Sequence, residues 1–431
     1  MWHPEVSPVF LWVDKERLNK GDAQRDPKVS YHTNQRVNAM RAAIIVKRNL
    51  SKSLQSIHST RLKSVFFGVD ALLRGGRLSL TALGRAACGP VSAKHNIKRI
   101  DRLLGNPHLL GNLPTFCRAM TQLLVGQTER PIILVDWTRI ADSHCALVAS
   151  LARDGRALPL YFEVHSKYRL AHPDVERRFL ASLKTVLPRK CTPVLVTDGG
   201  YRNPWFHEVG ALGWFYVGRL STHVYVRSMG DKNWLRNDVL EGLAQRKPID
   251  LGRCESAKTN PLKHRVIIAP RFKRNPKRHP QKRRRGDRGR GHQCTVNRNR
   301  APWVLATNLT ELSPKKIMAI YATRMQIEKT FRDTKSVRFG WSFRHARTQS
   351  AQRYAVLLLL AALAGFVLTV IGVAAERKRL HLRFQANTIR HRRVLSLFQL
   401  GTLIIAAADP PKLSHLELKT ALGLIKAIEM I

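Results

Sequence analysis

The sequence predicts an α/β protein with a helical region on the N-terminal side of a sheet domain and another helical region at its C-terminal end. Three observations predict it. Short apolar runs of strand length, bounded by turn residues, recur between residues 131 and 309. Helical periodicity with recognisable caps governs about 50–125. An uncharged run of about 22 residues, Tyr354 to Ala375, is far too long for a strand.

Composition narrows the function. The chain has 431 residues and is 44% hydrophobic, enough for two or three domains with real cores. Lys and Arg number 75 against 29 Asp and Glu, a formal charge of +46. A soluble protein with that excess repels itself unless a polyanion neutralises it. Nucleic acid is the first candidate, because each phosphate met by a cation releases condensed counterions; an anionic membrane surface or acidic partner is the other. Cys88, Cys117, Cys145, Cys191, Cys254 and Cys294 form no C-x-x-C pair and lack zinc-finger spacing, so they read as reduced thiols. His3, Glu5, Asp14 and Lys15 surround only a short apolar patch, so no secretory leader is expected.

Residues 1–39 carry turn formers and charge without sustained periodicity, and a better helical pattern begins at Met40. Two readings stand: a disordered arm, or an extension produced by a start codon placed too far upstream. Residues 40–125 read as a helical DNA-binding domain. Within it, Ser79 to Ala87 makes one short helix, broken by Gly89-Pro90. Ser92 caps a second, Ala93 to Leu104, closed by Gly105. Lys94, Lys98, Arg99 and Arg102 lie beside an apolar stripe of Ile97, Ile100, Leu103 and Leu104. Two helices about a Gly-containing turn, the second basic, suggest a helix-turn-helix reader of DNA; a small bundle with a solvated basic face is the plainer alternative.

The α/β region follows. Pro131 to Asp136, Ala157 to Val164, Thr192 to Asp198, Trp214 to Leu220 and Trp303 to Leu309 read as strands, and Asp174 to Leu187 as a helix. This assigns 126–225 and 301–375 to a catalytic domain interrupted by an insertion at 226–300. Inside the insertion, Arg271 to His292 is Lys or Arg at half its positions, with Asp287 its one acid. No core can form from it, and non-specific DNA contact is expected. Tyr354 to Ala375 is either a membrane span or a helix buried on all sides. Positive charge flanks it on both ends (Arg344, Arg347 and Arg353; Arg377, Lys378 and Arg379), whereas a span is expected to show asymmetry. The buried helix is therefore preferred, and no membrane partner is expected. Residues 376–431 form the helical C-terminal region, plausible for dimerisation.

The chemistry lies in three carboxylates. An acid at the carboxyl end of a buried strand is costly unless something pairs with it. Asp136 and Asp198 both stand there, after four or five apolar residues. One such acid is often only a turn residue or a helix cap. Two, on separate core strands of a basic protein, point to metal. Hard Mg2+ binds through few carboxylates plus water and phosphate, and two ions about 4 Å apart can activate a nucleophile and stabilise a leaving oxygen. A third carboxylate is then expected on the helix from Pro314 to about Ser336, capped by Ser313. At about 100° per residue, Tyr321, Arg324, Glu328 and Lys335 fall within roughly 60° of one another. A solvated face with Glu328 paired to Arg324 or Arg332 is the bland alternative. Ile317, Ile320 and Ile327 set the stripe at the border of the core, where an acid for metal and cations for phosphate suit phosphoryl transfer.

Tyr321-x2-Arg324-x3-Glu328-x6-Lys335 matches the Y-x2-R-x3-E-x6-K signature, and the chain resembles the insertion sequence four family of DDE transposases over about 50–400. Ile133 to Thr138 looks like the family's first-Asp strand, Val196 to Gly200 its second, Trp303 to Asn308 the strand before its helix, and His95 to Gly105 part of the same group. The resemblance implies a ribonuclease-H-like mixed sheet with a β-rich insertion, and a triad of Asp136, Asp198 and Glu328 binding two Mg2+ or Mn2+ ions. It implies cut-and-paste chemistry on double-stranded DNA at terminal inverted repeats, with joining to target DNA by a homodimer in the synaptic complex. Tyr321, Arg324 and Lys335 would contact phosphates of the element end, Trp303 would stack on a flipped base, and Arg219 would bind phosphate. Lys98, Arg99 and Arg102 would read the repeat. A bacterial, cytoplasmic, nucleoid-associated protein is expected. The rivals are a nuclease that cuts without joining and a non-catalytic basic DNA-binding protein.

Overall fold

The computed structural model describes residues 27–153, 155–270, 302–337, 340–386 and 388–426, with side chains from residue 38. The basic run at 271–292 and Cys294 lie outside the described residues. Five helices come first: α1 (Pro27–Ser51), α2 (Ser59–Leu73), α3 (Leu80–Ala86), α4 (Ala93–Leu104) and α5 (Pro107–Val125). The sheet region runs β1 (Ile132–Arg139), β2 (His144–Leu151), β3 (Leu158–Ser166), α6 (Pro173–Val186), β4 (Val194–Thr197), α7 (Asn203–Ala211) and β5 (Phe215–Arg219). An insertion adds β6 (Tyr225–Ser228), β7 (Leu235–Arg236), α8 (Asn237–Gly242), β8 (Ile249–Ser256) and β9 (Leu262–Ile268). Then come β10 (Val304–Thr307), α9 (Pro314–Ala322), α10 (Met325–Lys335), α11 (Ala351–Arg377), α12 (His381–Phe384), α13 (Leu397–Ala406) and α14 (His415–Lys426).

Among the described residues the strands form one mixed sheet in the order β3-β2-β1-β4-β5-β10-β9-β8-β6-β7. β2 is antiparallel to both β1 and β3, whereas β1, β4 and β5 are mutually parallel. The insertion extends the same sheet beyond β10 through β9, β8, β6 and β7. The expected strands all appear, within a few residues of their bounds. Between β5 and β10, where the resemblance implies a β-rich insertion, the sequence reading named no individual strands. Outside that segment one strand has no counterpart: β2, His144–Leu151, is buried along nearly its whole length between β1 and β3 and lacks the acid that marked β1 and β4.

Side-chain alternation sorts the sheet into two faces. Ile133 and Val135 join the larger core beneath the helices. Ile132, Leu134, Val194, Val196, Val217 and Leu305 point the other way and pack with Ile317, Ile320, Tyr321 and Ile327 of α9 and α10. That second face carries the candidate site.

The apolar run is α11, and 83% of its most apolar window is buried inside the protein. It packs against α1, α2, α5, α13, α14 and β3. Gly372 and Gly401 explain how close α11 and α13 come. A Cβ on Gly372 would lie 2.1 Å from the Leu397 carbonyl oxygen, and one on Gly401 would lie 2.1 Å from that of Leu368. Two backbones touch where a side chain has no room.

At the N-terminal end the helix begins at Pro27, ahead of the expected start at Met40. Asn38 ties it down over a great sequence distance, donating to Pro411 O at 2.8 Å and accepting from Leu413 N at 3.1 Å. Periodicity cannot reveal such an anchor. Ser79, read as the first residue of α3, stands instead at its N-cap, accepting from Ala82 N. Ser92 stands at the N-cap of α4, but its hydroxyl meets His95 Nδ1 at 2.8 Å instead of a backbone N–H. α3 and α4 cross tightly at Gly84, where a Cβ would come within 2.6 Å of Ile97 Cα. Gly84→Val is expected to lower stability by about 1–3 kcal/mol through overpacking. A reduced urea midpoint at unchanged slope would show it; an unchanged midpoint would mean that the crossing can open freely.

Candidate active site

Two parallel neighbouring strands supply the first two acids. Leu134 of β1 pairs with Val196 of β4. Two residues further on, each reaches an acid, so Asp136 and Asp198 stand level with each other; Asp198 lies just past the end of β4, whereas Asp136, expected at a strand end, lies inside β1, which stays paired with β2 as far as Arg139. Adjacent strands are spaced about 4.8 Å apart. Even-numbered residues of β1 and β4 face α9 and α10, so both acids point to the face that carries Glu328. Arg219, at the end of β5, follows the same parity from Val217, and Trp303 follows it from Leu305.

The third acid comes from a helix built differently from the single span expected. The chain breaks at Thr323-Arg324 into α9 and α10. There Thr323 N, Arg324 N, Gln326 N and Ile327 N each donate three residues back, tightening the turn. Ser313 caps α9, accepting from Lys316 N. Despite the break, Tyr321, Arg324 and Glu328 still share one cleft. Glu328 Oε1 lies 2.7 Å from Arg324 Nη2.

Two clefts meet at Glu328. One is lined by Asp136, Thr138, Glu328, Arg332, Lys335 and Arg344, with a volume of about 510 Å³. The other, about 380 Å³, is lined by Asp198, Gly199, Gly200, Arg219, Tyr321, Arg324 and Glu328. Electrostatics ties them together. Burial, joined by the negative charges of Asp198 and Glu328 and opposed by Arg324, pushes the Asp136 carboxyl up to about 8. The Tyr321 phenol is raised to about 12 by burial, against the pull of Arg324 and Arg219. Lys335 is lowered by burial and by Arg344; its Nζ donates to Thr138 Oγ1 at 2.8 Å. Asp198 Oδ1 accepts from Gly200 N at 2.9 Å. Arg219 reaches Glu241 at 3.4 Å.

The remaining predicted residues sit elsewhere. Trp303 is half-buried behind Tyr321, ring centroids 4.8 Å apart, and lines neither cleft. Lys98, Arg99 and Arg102 are exposed on α4, away from both clefts. The Arg99 guanidinium lies 3.7 Å from the centre of the Phe67 ring, which fixes its direction.

Among the described residues no group of three His, Cys, Asp or Glu side chains converges closely enough to hold a metal as they stand. Glu328 is drawn to Arg324. The donor set still suits a hard divalent ion: the charges of Asp198 and Glu328 raise the proton affinity of Asp136, and a cation among the three would relieve that repulsion.

The chain from residue 127 to residue 364, more than half its length, matches the model of the transposase DDE domain. The chain belongs to the DDE transposase family. No curated protein matches it. DDE transposases act on DNA and generally use divalent metal ions. The matched segment of this transposase spans β1 to the first half of α11, and so contains all three acids, the insertion and both clefts.

Several residues at the site escaped the sequence reading. Trp137 Nε1 donates to Glu176 Oε1 at 3.0 Å on the sheet face behind Asp136. In sequence Glu176 looks like a first-turn acid favoured by the helix dipole. Nearby, the buried Tyr201 phenol is raised by burial and then by Asp136, Glu176 and Asp198. Arg344 is exposed at the mouth of the first cleft, on a single turn flanked by Ser342 (φ 55) and Arg347 (φ 47), both in the left-handed region. Non-glycine residues held there mark a turn imposed by its surroundings. Arg344→Ala is expected to weaken end-DNA binding about tenfold, from one lost charge-assisted contact. A filter-binding titration checks it, and unchanged affinity would remove Arg344 from the DNA path.

Proposed function

We propose that this protein is a cut-and-paste transposase of the insertion sequence four type, with Asp136, Asp198 and Glu328 as its catalytic acids. The observation that carries the reading is the shared face: two level acids on neighbouring parallel strands meet a helix bearing the third, lined by Arg219, Arg324, Arg332, Lys335 and Arg344. The spacing of Tyr321, Arg324, Glu328 and Lys335 supports the subfamily.

Asp136, Asp198 and Glu328 would hold two Mg2+ or Mn2+ ions, which when bound lower the pKa of attacking water and stabilise the leaving oxygen. The cations of the two clefts bind and orient the phosphates of the element end. With Glu328 so engaged, Arg324, its partner at 2.7 Å, would be available to a phosphate. In the first step a water oxygen bonds to phosphorus, the P–O3′ bond breaks, and a 3′-hydroxyl is freed. That hydroxyl's oxygen then bonds to a phosphorus of the opposite strand as the flanking DNA's 3′-oxygen leaves, closing a hairpin; water bonds to the same phosphorus and expels the element's 3′-oxygen, freeing the 3′-hydroxyl again. In joining, the 3′-oxygen bonds to a target phosphorus as the target's own 3′-oxygen leaves. A dimer would pair the two ends, with 376–431 contributing to contact.

The test incubates purified protein with a fragment flanked by its own genomic ends, with and without Mg2+. Metal-dependent release of the fragment and joined product are expected. Release without joining would make it a nuclease, and binding without release would leave only a DNA-coating protein.

A further inference from the structure

The strand directions place a second basic feature on the edge that carries Asp136 and Asp198. β3 and β1 each pair antiparallel with β2, so β3 ends on the edge where β1 ends. Beyond it, residues 166–171 are exposed without interruption. Lys167, Tyr168 and Arg169 form a single turn there, and Tyr168 is 82% exposed. The turn is anchored: Lys167 N donates to Ser143 O at 2.9 Å, and His172 N to Arg169 O at 3.3 Å. Ala171 holds φ 56, a left-handed conformation that an unconstrained alanine avoids. Lys167 Nζ lies 5.2 Å from the centre of the Tyr168 ring. Arg139, exposed at the end of β1, completes the cationic rim.

A lone exposed tyrosine is ordinary. An anchored turn that presents an aromatic ring between two cations, beside a third, has the make-up of a nucleic-acid contact. None of these four residues lines either cleft. Only β2 lies between β3 and β1, two strand spacings or on the order of 10 Å, so a duplex lying on the rim comes within reach of the catalytic edge. An enzyme that joins DNA must hold two duplexes at one centre, and the clefts account for one.

We propose that Arg139, Lys167, Tyr168 and Arg169 form the seat of the target duplex, separate from the clefts that take the element end. This rests on the transposase reading above. In the test, the full chain carrying Lys167→Ala and Arg169→Ala, with or without Tyr168→Ala, is compared with wild type for end cleavage and for joining to a random-sequence plasmid. Joining is expected to fall about tenfold more than cleavage, for two lost phosphate contacts. A control pair, Arg189→Ala with Lys190→Ala, removes two exposed charges just ahead of β4, at the opposite edge of the sheet. A second arm needs no chemistry: capture of a random duplex by Asp136→Asn protein already loaded with end DNA. There the salt slope should drop by about 0.9 per lost contact, so by about two. Joining and cleavage falling by the same factor, an unchanged slope, or equal loss in the control pair would each overturn the proposal. Absence of wild-type cleavage would count against the catalytic reading alone, since the slope still decides the rim.

Discussion

Glu328→Gln is expected to reduce end cleavage in Mg2+ by about a thousandfold or more, while end-DNA binding persists. The substitution keeps the size and helix preference of the side chain but removes the charge. Loss of one carboxylate from a metal centre forfeits several kcal/mol of transition-state stabilisation, and each 1.36 kcal/mol is about tenfold in rate. Arg324 loses the negative charge of its partner at 2.7 Å and is held less tightly against a phosphate's pull, so binding should hold or tighten. Single-turnover cleavage of an end-bearing fragment is the measurement. A near-normal rate would show that Glu328 is only the partner of Arg324 on a charged helix face.

Asp333→Ala is expected to cost about 3 kcal/mol of stability and most of the cleavage activity. Asp333 is 5% exposed, and its carboxylate takes a two-pronged contact from Arg156, Nε to one oxygen and Nη2 to the other. Removing one partner leaves an uncompensated charge away from water. The pair belongs to a longer clamp. Gln326 Oε1 accepts from Arg153 N at 2.6 Å, and Thr330 Oγ1 both accepts from Ala157 N and donates to Ala157 O at 3.0 Å. Residues 326, 330 and 333 form one face of α10 and bolt it to the connection between β2 and β3. Glu328 is therefore aimed by contacts it does not make. Urea unfolding of Asp333→Ala, Arg156→Leu and the double variant tests this. The double variant should recover most of the stability, because the orphaned charge goes with its partner, yet stay weakly active because α10 is no longer held. A loss below about 0.5 kcal/mol in Asp333→Ala, the range of ordinary surface changes, would dismiss the clamp.

Much of the site was legible because its signals are local. Apolar runs that end in Asp136 and Asp198, and a helical stripe bearing Glu328, depend only on strand and helix periods, which neighbouring residues carry. The cap Ser313 was legible for the same reason. What escaped has partners far off in sequence. β2 is buried between its neighbours and shows no alternation. The break at Thr323-Arg324 lacks a glycine or proline to announce it. The clamp on α10 joins residues more than 170 positions apart. Trp303 looked like a base-stacking residue from the family pattern, and its edge-on packing behind Tyr321 follows from the strand it occupies.

The sequence by itself determined which residues are candidates for chemistry: Asp136 and Asp198 after their apolar runs, the cation-bearing helix and the charge that calls for a polyanion. Those choices are written in residue type and short-range spacing. Only the tertiary structure decided that the three acids share one face and one edge, because that depends on the pairing of β1 with β4 and on the clamp that docks α10. It also decided that Tyr354 to Ala375 is wrapped in protein. Hydropathy measures how strongly a segment avoids water, and the packing of distant helices settles what replaces the water.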